Sequence, residues 1–161
     1  MDIYKDTQLN QGIKTFVNFY LFVIILIIMI IKSCGKEPLE RNPYLVDIRF
    51  QREINLSLPL YNELNFVGGS ILISDLGLNG VIVFNLNGSN YLAWEATCPN
   101  HVPKNCSALS IKGVLAKCGC EDFQYSLATG QLLNPNEDLK PPQGLLFYQV
   151  RNFNSTLIIS N

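Results

Sequence analysis

Four of the five cysteines in this 161-residue chain lie between residues 98 and 120, together with its only histidine. Cys98 and Cys106 bound one segment with His101 between them, and Cys118 and Cys120 stand two positions apart in a second segment. Thiols and imidazole at such spacings bind metal ions, and thiols in an oxidising compartment also pair as disulfides. The chemistry of the chain is therefore expected in these two segments.

Short strands are predicted around both segments. Apolar and polar residues alternate along 46–51 and 54–58, and Asn-Gly pairs at 79–80 and 87–88 separate later apolar runs, which is a strong hairpin signal. No stretch after residue 34 has a sustained helical period. The pattern predicts an all-β fold, a small antiparallel sandwich or barrel that carries the cysteines on two loops. Its further strands are expected at 70–74, 81–86, 90–96, 109–117, 121–127, 144–151 and 156–160.

The N-terminal part differs from the rest in composition. Lys5 and Lys14 precede the apolar run Phe16–Ile31, whose length lies between that of a signal peptide and that of a membrane span. The sequence IKSC that ends at Cys34 resembles a bacterial lipobox, which implies lipidation of Cys34. A simple transmembrane anchor is the alternative.

These features divide the chain into a signal peptide or anchor (1–34), a polar tether (35–43) and one domain (44–161). Both interpretations of the N-terminus place the domain in the cell envelope, anchored to the membrane and outside the cytoplasm, where disulfides persist. The composition also resembles that of Bacteroidetes-type envelope lipoproteins.

The second segment, CGCEDFQYSLATG at 118–130, aligns without a gap with the second loop of the Rieske iron–sulfur family, and the resemblance extends over roughly 80–161. The resemblance implies a Rieske-like domain in which Cys118 is a ligand and Cys120 a disulfide cysteine. Glu121 stands where the family has a histidine. In the first loop Cys98 matches the ligand cysteine, while His101 lies three residues on, where the family has two.

A Rieske [2Fe–2S] cluster uses two cysteines and two histidines, and this chain has one histidine. We therefore expect no cofactor and a disulfide-stapled structural or interaction module. Four cysteines allow three pairings, of which the one that contains Cys118–Cys120 is strained. The resemblance implies Cys106–Cys120 and leaves Cys98 and Cys118 facing each other as a second bridge.

Two metal-binding alternatives remain open. The first is electron transfer through a [2Fe–2S] cluster held by Cys98, His101, Cys118 and either Cys120 or Glu121. The second is a zinc site formed by Cys98, His101, Cys118 and Cys120, although the Cys-x-Cys spacing is short for zinc.

Other function classes receive little support. Cys98 and His101 are weak candidates for a nucleophile–base pair, so the chain is not expected to be an enzyme by itself. A net charge of −1 and the absence of GxxxxGK, GxGxxG and HExxH motifs argue against nucleic acid, nucleotide and zinc-protease chemistry. The expected partners are the membrane and an envelope protein. Trp94, Phe123 and Tyr125 flank the loops and either pack the loop bases or form a recognition patch.

Overall fold

The computed structural model describes residues 17–25, 42–137, 139 and 141–161. The chain separates into two compact units, Met1–Glu40 and Arg41–Asn161. In the first unit residues 17–25 are helical. Among the described residues no helix combines the length and apolar character needed to cross a membrane. Cys34 lies outside the described residues, so its lipidation remains a prediction.

The described residues of the second unit form nine strands in two antiparallel sheets. The larger sheet has the order β1-β9-β8-β4-β3-β2, and the smaller one has the order β5-β6-β7. This arrangement confirms the predicted all-β antiparallel fold. The strands are β1 (Gln51–Asn55), β2 (Ser70–Ile73), β3 (Val81–Asn85), β4 (Tyr91–Glu95), β5 (Leu109–Lys112), β6 (Leu115–Cys118), β7 (Gln124–Ser126), β8 (Phe147–Phe153) and β9 (Thr156–Ser160).

The turn signals in the sequence mark real hairpins. The Asn-Gly pair at 79–80 lies between β2 and β3, and the pair at 87–88 lies between β3 and β4, each joining antiparallel neighbours. The predicted hairpin at the end of the chain is formed by β8 and β9, and it turns through Asn154 at a φ of 56°. Asparagine tolerates this left-handed conformation better than most residues, which explains its use in the turn.

Two predictions about the first strands are wrong. Residues 46–50 are not part of a strand, because β1 pairs with β9 from Gln51↔Ser160 onward and β9 extends no further than Ser160. The predicted strand 54–58 ends at Asn55 and is followed by a 3-10 helix, Pro59–Asn65. Proline at the start of this helix favours it, since its fixed φ suits the first helical turn and its missing N–H is not needed there.

Strand β3 divides the core of the domain into two apolar clusters. All five of its residues are buried. Val81 and Val83 belong to one cluster, while Ile82 and Phe84 belong to the other, as expected for side chains that alternate between the two faces of a strand. The second cluster also contains Cys98 and Cys118. The cysteine loops therefore rest directly on the hydrophobic core.

Candidate metal centre

The two cysteine loops are closed at their bases by backbone hydrogen bonds. The first loop runs from β4 to β5, and its ends are joined where the Cys98 amide donates to the Ser107 carbonyl at 2.8 Å. The second loop runs from β6 to β7, and the Cys118 amide donates to the Phe123 carbonyl at 2.8 Å. Cys118 is the last residue of β6, and Cys98 follows an isolated bridge between Thr97 and Ala108, so backbone pairing fixes the positions of both cysteines.

A disulfide joins the tips of the loops. Cys106 and Cys120 are bonded, with an S–S distance of 2.11 Å, so the predicted pairing is confirmed. Gly119 allows the approach, since a Cβ atom there would lie 2.8 Å from the Cys106 carbonyl oxygen. Bonded to Cys106, Cys120 has no thiolate to offer a metal, and the ligand sets that included Cys120 do not match this structure.

Four other side chains converge beside the disulfide. One donor atom from each of Cys98, His101, Cys118 and Glu121 lies within 4.8 Å of the others. His101 Nε2 is 3.5 Å from Cys118 Sγ and 2.9 Å from Glu121 Oε2, and the same carboxylate oxygen is 3.5 Å from Cys118 Sγ. Cys98 and Cys118 are buried free thiols, so the second predicted bridge is not formed.

The hydrogen bond between Cys98 and Cys118 shifts the pKa values of the two thiols in opposite directions. The pKa of Cys98 is raised by its hydrogen bond to Cys118 and by burial. The pKa of Cys118 is lowered, first by that hydrogen bond and then by the backbone N–H of Glu121 and the imidazole of His101. The shared hydrogen bond therefore makes Cys118 the more acidic thiol of the two.

The two remaining donors both bind protons more readily than usual. Burial by itself lowers the pKa of His101, but the Val102 carbonyl, Cys118 and Glu121 together raise it above its ordinary value. Burial raises the pKa of Glu121, and the neighbouring imidazole opposes this effect.

A buried hydrogen-bond network supports the first loop, and sequence analysis did not identify it. Asn100 Nδ2 donates to Tyr125 Oη and to the Gln143 carbonyl, both at 2.8 Å, and Asn100 Oδ1 accepts from the Gln143 amide at 2.7 Å. Tyr125 Oη lies 3.4 Å from Cys98 Sγ, and burial is the main cause of its raised pKa. The only local signal for Asn100 is an amide side chain between two prolines.

The aromatic side chains that flank the loops belong to the core. Trp94, Phe123 and Tyr125 are all buried, and the Trp94 indole donates to the Leu127 carbonyl at 2.9 Å. The recognition-patch interpretation of these three residues is therefore wrong, and they pack the loop bases. The exposed apolar side chain at the loop tip is Val102, which is 63% exposed.

The residues present do not fit the usual two-iron cluster. In a Rieske centre two thiolates hold one iron and two imidazoles hold the other, so donors of different type are separated by an additional metal atom. Here Glu121 stands where the resemblance implies one imidazole, and Cys118 Sγ lies 3.5 Å from both His101 Nε2 and Glu121 Oε2. The donors converge on one point rather than on two.

Comparisons with known proteins find partial structural similarity. No family model matches the chain, and no curated protein matches it. One similar chain comes from the complex of reduced oxygenase and oxidized ferredoxin in carbazole 1,9a-dioxygenase, at 16% identity and a TM-score of 0.41, and covers 58% of this chain and 82% of that chain.

Two further solved structures are similar to the chain. A putative NADH-dependent nitrite reductase small subunit from Mycobacterium tuberculosis has 16% identity and a TM-score of 0.41, with 71% of this chain and 97% of that chain covered. The ferredoxin of carbazole 1,9a-dioxygenase from Nocardioides aromaticivorans IC177 has 14% identity and a TM-score of 0.38, with 58% and 86% covered. With TM-scores below 0.5, these similarities carry no functional conclusion.

Proposed function

We propose that this chain is a membrane-anchored envelope lipoprotein whose Rieske-like domain is a disulfide-stapled structural or interaction module without a [2Fe–2S] cluster. The observation that carries the proposal is the donor set. The His101 imidazole and the Glu121 carboxylate lie beside Cys118 instead of standing apart from the cysteines as a second pair of ligands. The domain is called Rieske-like because its second loop resembles that of the Rieske family. The geometry of the donors argues against the cofactor of that family.

A disulfide and side-chain hydrogen bonds hold the ends of the two cysteine loops in place, so these loops form a rigid tip. The Cys106–Cys120 bond joins the two loops, and Asn100 fastens the first loop to the backbone of Gln143. A rigid tip loses little conformational entropy when it binds a partner, so even a small exposed surface contributes to recognition. Val102 and the exposed Pro103 beside it form such a surface at the end of the first loop.

Iron and sulfide analysis tests the absence of a cluster. The full-length chain is produced with excess iron, purified anaerobically in mild detergent, and compared with a Cys98→Ser/Cys118→Ser variant. We expect a colourless protein whose visible spectrum matches that of the variant. A red-brown protein with stoichiometric iron and acid-labile sulfide, lost in the variant, would overturn the proposal.

Electron transfer through a [2Fe–2S] cluster is the second candidate function. The observation in its favour is that Cys98 and Cys118, which the Rieske resemblance assigns as ligands, are the two cysteines outside the disulfide. This function requires Glu121 as an iron ligand, and its carboxylate would lower the reduction potential of the cluster. The iron and sulfide measurement separates the two candidates.

Membrane attachment through Cys34 is a separate part of the proposal. It rests on the apolar run that precedes Cys34 and on the lipobox-like sequence that ends there. Cells are fed an alkyne-labelled fatty acid, and the chain is compared with its Cys34→Ala variant after fractionation. We expect labelling of the parent chain alone. Equal labelling of the variant, or no labelling of either chain, contradicts lipidation at this residue.

A further inference from the structure

We propose that one divalent transition-metal ion of the zinc class binds between the loops, with Cys98 Sγ, His101 Nε2, Cys118 Sγ and Glu121 Oε2 as its four ligands. The inference rests on the proposed function in one respect, namely that no [2Fe–2S] cluster occupies these cysteines. It replaces Cys120 with Glu121 in the zinc site expected from the sequence, because Cys120 is bonded to Cys106.

The two distances from Cys118 Sγ match a single tetrahedral ion, and the whole donor set lies within 4.8 Å. Bonds of about 2.3 Å to sulfur and about 2.0–2.2 Å to nitrogen and oxygen place the ligands of one zinc ion roughly 3.3–3.8 Å apart. Cys118 Sγ lies 3.5 Å from His101 Nε2 and 3.5 Å from Glu121 Oε2. The His101–Glu121 distance of 2.9 Å is shorter, and a small rotation of the Glu121 side chain, which is 34% exposed, would lengthen it.

The imidazole is oriented for metal binding by its other nitrogen. His101 Nδ1 lies 2.9 Å from the Val102 carbonyl oxygen. A carbonyl only accepts, so Nδ1 carries a hydrogen, and Nε2 faces Cys118 and Glu121. Without an ion Nε2 pairs with the Glu121 carboxylate, and an ion bound at Nε2 would replace the proton of that pair. Most metal-binding histidines have such a second partner, which sets the tautomer and the ring orientation.

The donor types select the class of ion. Two thiolates, one imidazole and one carboxylate form a mixed sulfur, nitrogen and oxygen set that suits zinc, whereas calcium and magnesium prefer oxygen ligands alone. Four protein donors complete a tetrahedral shell and leave no position for a substrate, which is typical of structural zinc. The ion would therefore hold the loops together and would not act as a catalyst.

Burial explains what the ion would contribute. Cys98 and Cys118 have no exposed surface, and the His101 side chain is 12% exposed. An ion bound to both thiols would keep them ionised at this depth, where an unpaired thiolate is costly. Two adjacent thiols outside the cytoplasm are also expected to oxidise to a disulfide unless a ligand protects them. A bound ion would both stabilise the ionised thiols and protect them from oxidation.

Cobalt and zinc titrations of the full-length chain test the site. The chain is purified in mild detergent, stripped with a chelator, and titrated anaerobically with Co²⁺, whose visible bands report a tetrahedral site with thiolate ligands. Zn²⁺ affinity is then measured in competition with a chromogenic chelator. We expect one ion per chain, displacement of Co²⁺ by Zn²⁺, and protection of two thiols from alkylation in the loaded protein.

A neighbouring pair of variants supplies the control. Glu121→Gln removes one ligand, and we expect its zinc affinity to fall by more than the ~10–100-fold that loss of an outer partner of a metal ligand costs. Asp122→Asn removes the adjacent charge, which forms an exposed pair with Lys117, and we expect unchanged affinity. Equal losses in both variants would indicate general electrostatic attraction and overturn the assignment of Glu121.

Failure of this inference is distinguishable from failure of the proposed function. A stripped, iron-free chain with two titratable thiols that binds neither Co²⁺ nor Zn²⁺ at one ion per chain would overturn the metal site alone. A Cys98–Cys118 bridge found by non-reducing mass spectrometry in protein taken directly from cells would do the same. Stoichiometric iron and sulfide would instead overturn the proposed function.

Discussion

Removal of the Cys106–Cys120 disulfide is expected to cost a large part of the stability of this domain. The bond closes a loop with a sequence separation of 14 residues. In the chain-entropy description a loop of this length stabilises the folded state by about 3 kcal/mol, because the cross-link restricts the unfolded chain. Small domains have a total unfolding free energy of about 5–15 kcal/mol, so this single bond contributes a fifth or more of it.

The test is urea unfolding of the full-length chain and its Cys106→Ser/Cys120→Ser variant, both in chelator so that metal binding does not contribute. With a slope of about 2 kcal/mol per M urea, a loss of about 3 kcal/mol lowers the midpoint by about 1.5 M. The parent chain in a phosphine reductant should unfold with the variant. Equal urea midpoints for the oxidised parent and the variant would show that the disulfide does not stabilise the domain.

Two further predictions concern the contacts beneath the loops. Asn100→Ala leaves the Gln143 amide and carbonyl without their side-chain partner, and we expect the unfolding free energy to fall by about 2–3 kcal/mol in urea titrations; an unchanged midpoint would show that water replaces the amide without loss. Gly130→Ala and Gly113→Ala form a matched pair, since both glycines have positive φ, but a Cβ at Gly130 would lie 2.6 Å from the Trp94 ring and one at Gly113 would meet nothing within 4 Å. We expect Gly113→Ala to cost about 1–2 kcal/mol from backbone strain and Gly130→Ala about 2 kcal/mol more from overpacking, and equal costs in thermal unfolding would refute the steric explanation.

The fold could be predicted largely from local signals. Alternating apolar residues and Asn-Gly turns depend on neighbours in the chain, and β3, β4, β8 and β9 lie close to their predicted positions. The first strand could not be located in this way, because the register of β1 is determined by its pairing with β9 at the other end of the sequence. The 3-10 helix is short and lacks the apolar period that identifies longer helices.

The site was only partly predictable. Clustering of cysteines and the family resemblance identified Cys98 and Cys118 as ligand candidates and Cys106–Cys120 as the bond. The convergence of Glu121 with His101 is a tertiary property of two loops, and neither residue type nor spacing establishes it. The same holds for Asn100, whose partner Gln143 is 43 residues away.

The bond between Cys106 and Cys120 limits what the two remaining thiols, Cys98 and Cys118, can do. Once Cys106 and Cys120 are bonded, Cys98 and Cys118 lie adjacent in an apolar cluster and can remain protonated, form a bridge, or bind an ion. Protonated thiols keep the contacts of Cys118 with His101 and Glu121, and a bridge would need neither of these side chains. Metal binding gives the two thiols, the His101 imidazole and the Glu121 carboxylate one shared partner, whereas without an ion His101 and Glu121 pair with each other. The polar groups around the two thiols therefore favour the third outcome, and the carboxylate that makes the usual iron cluster a poor fit is the donor that completes the shell of a single ion.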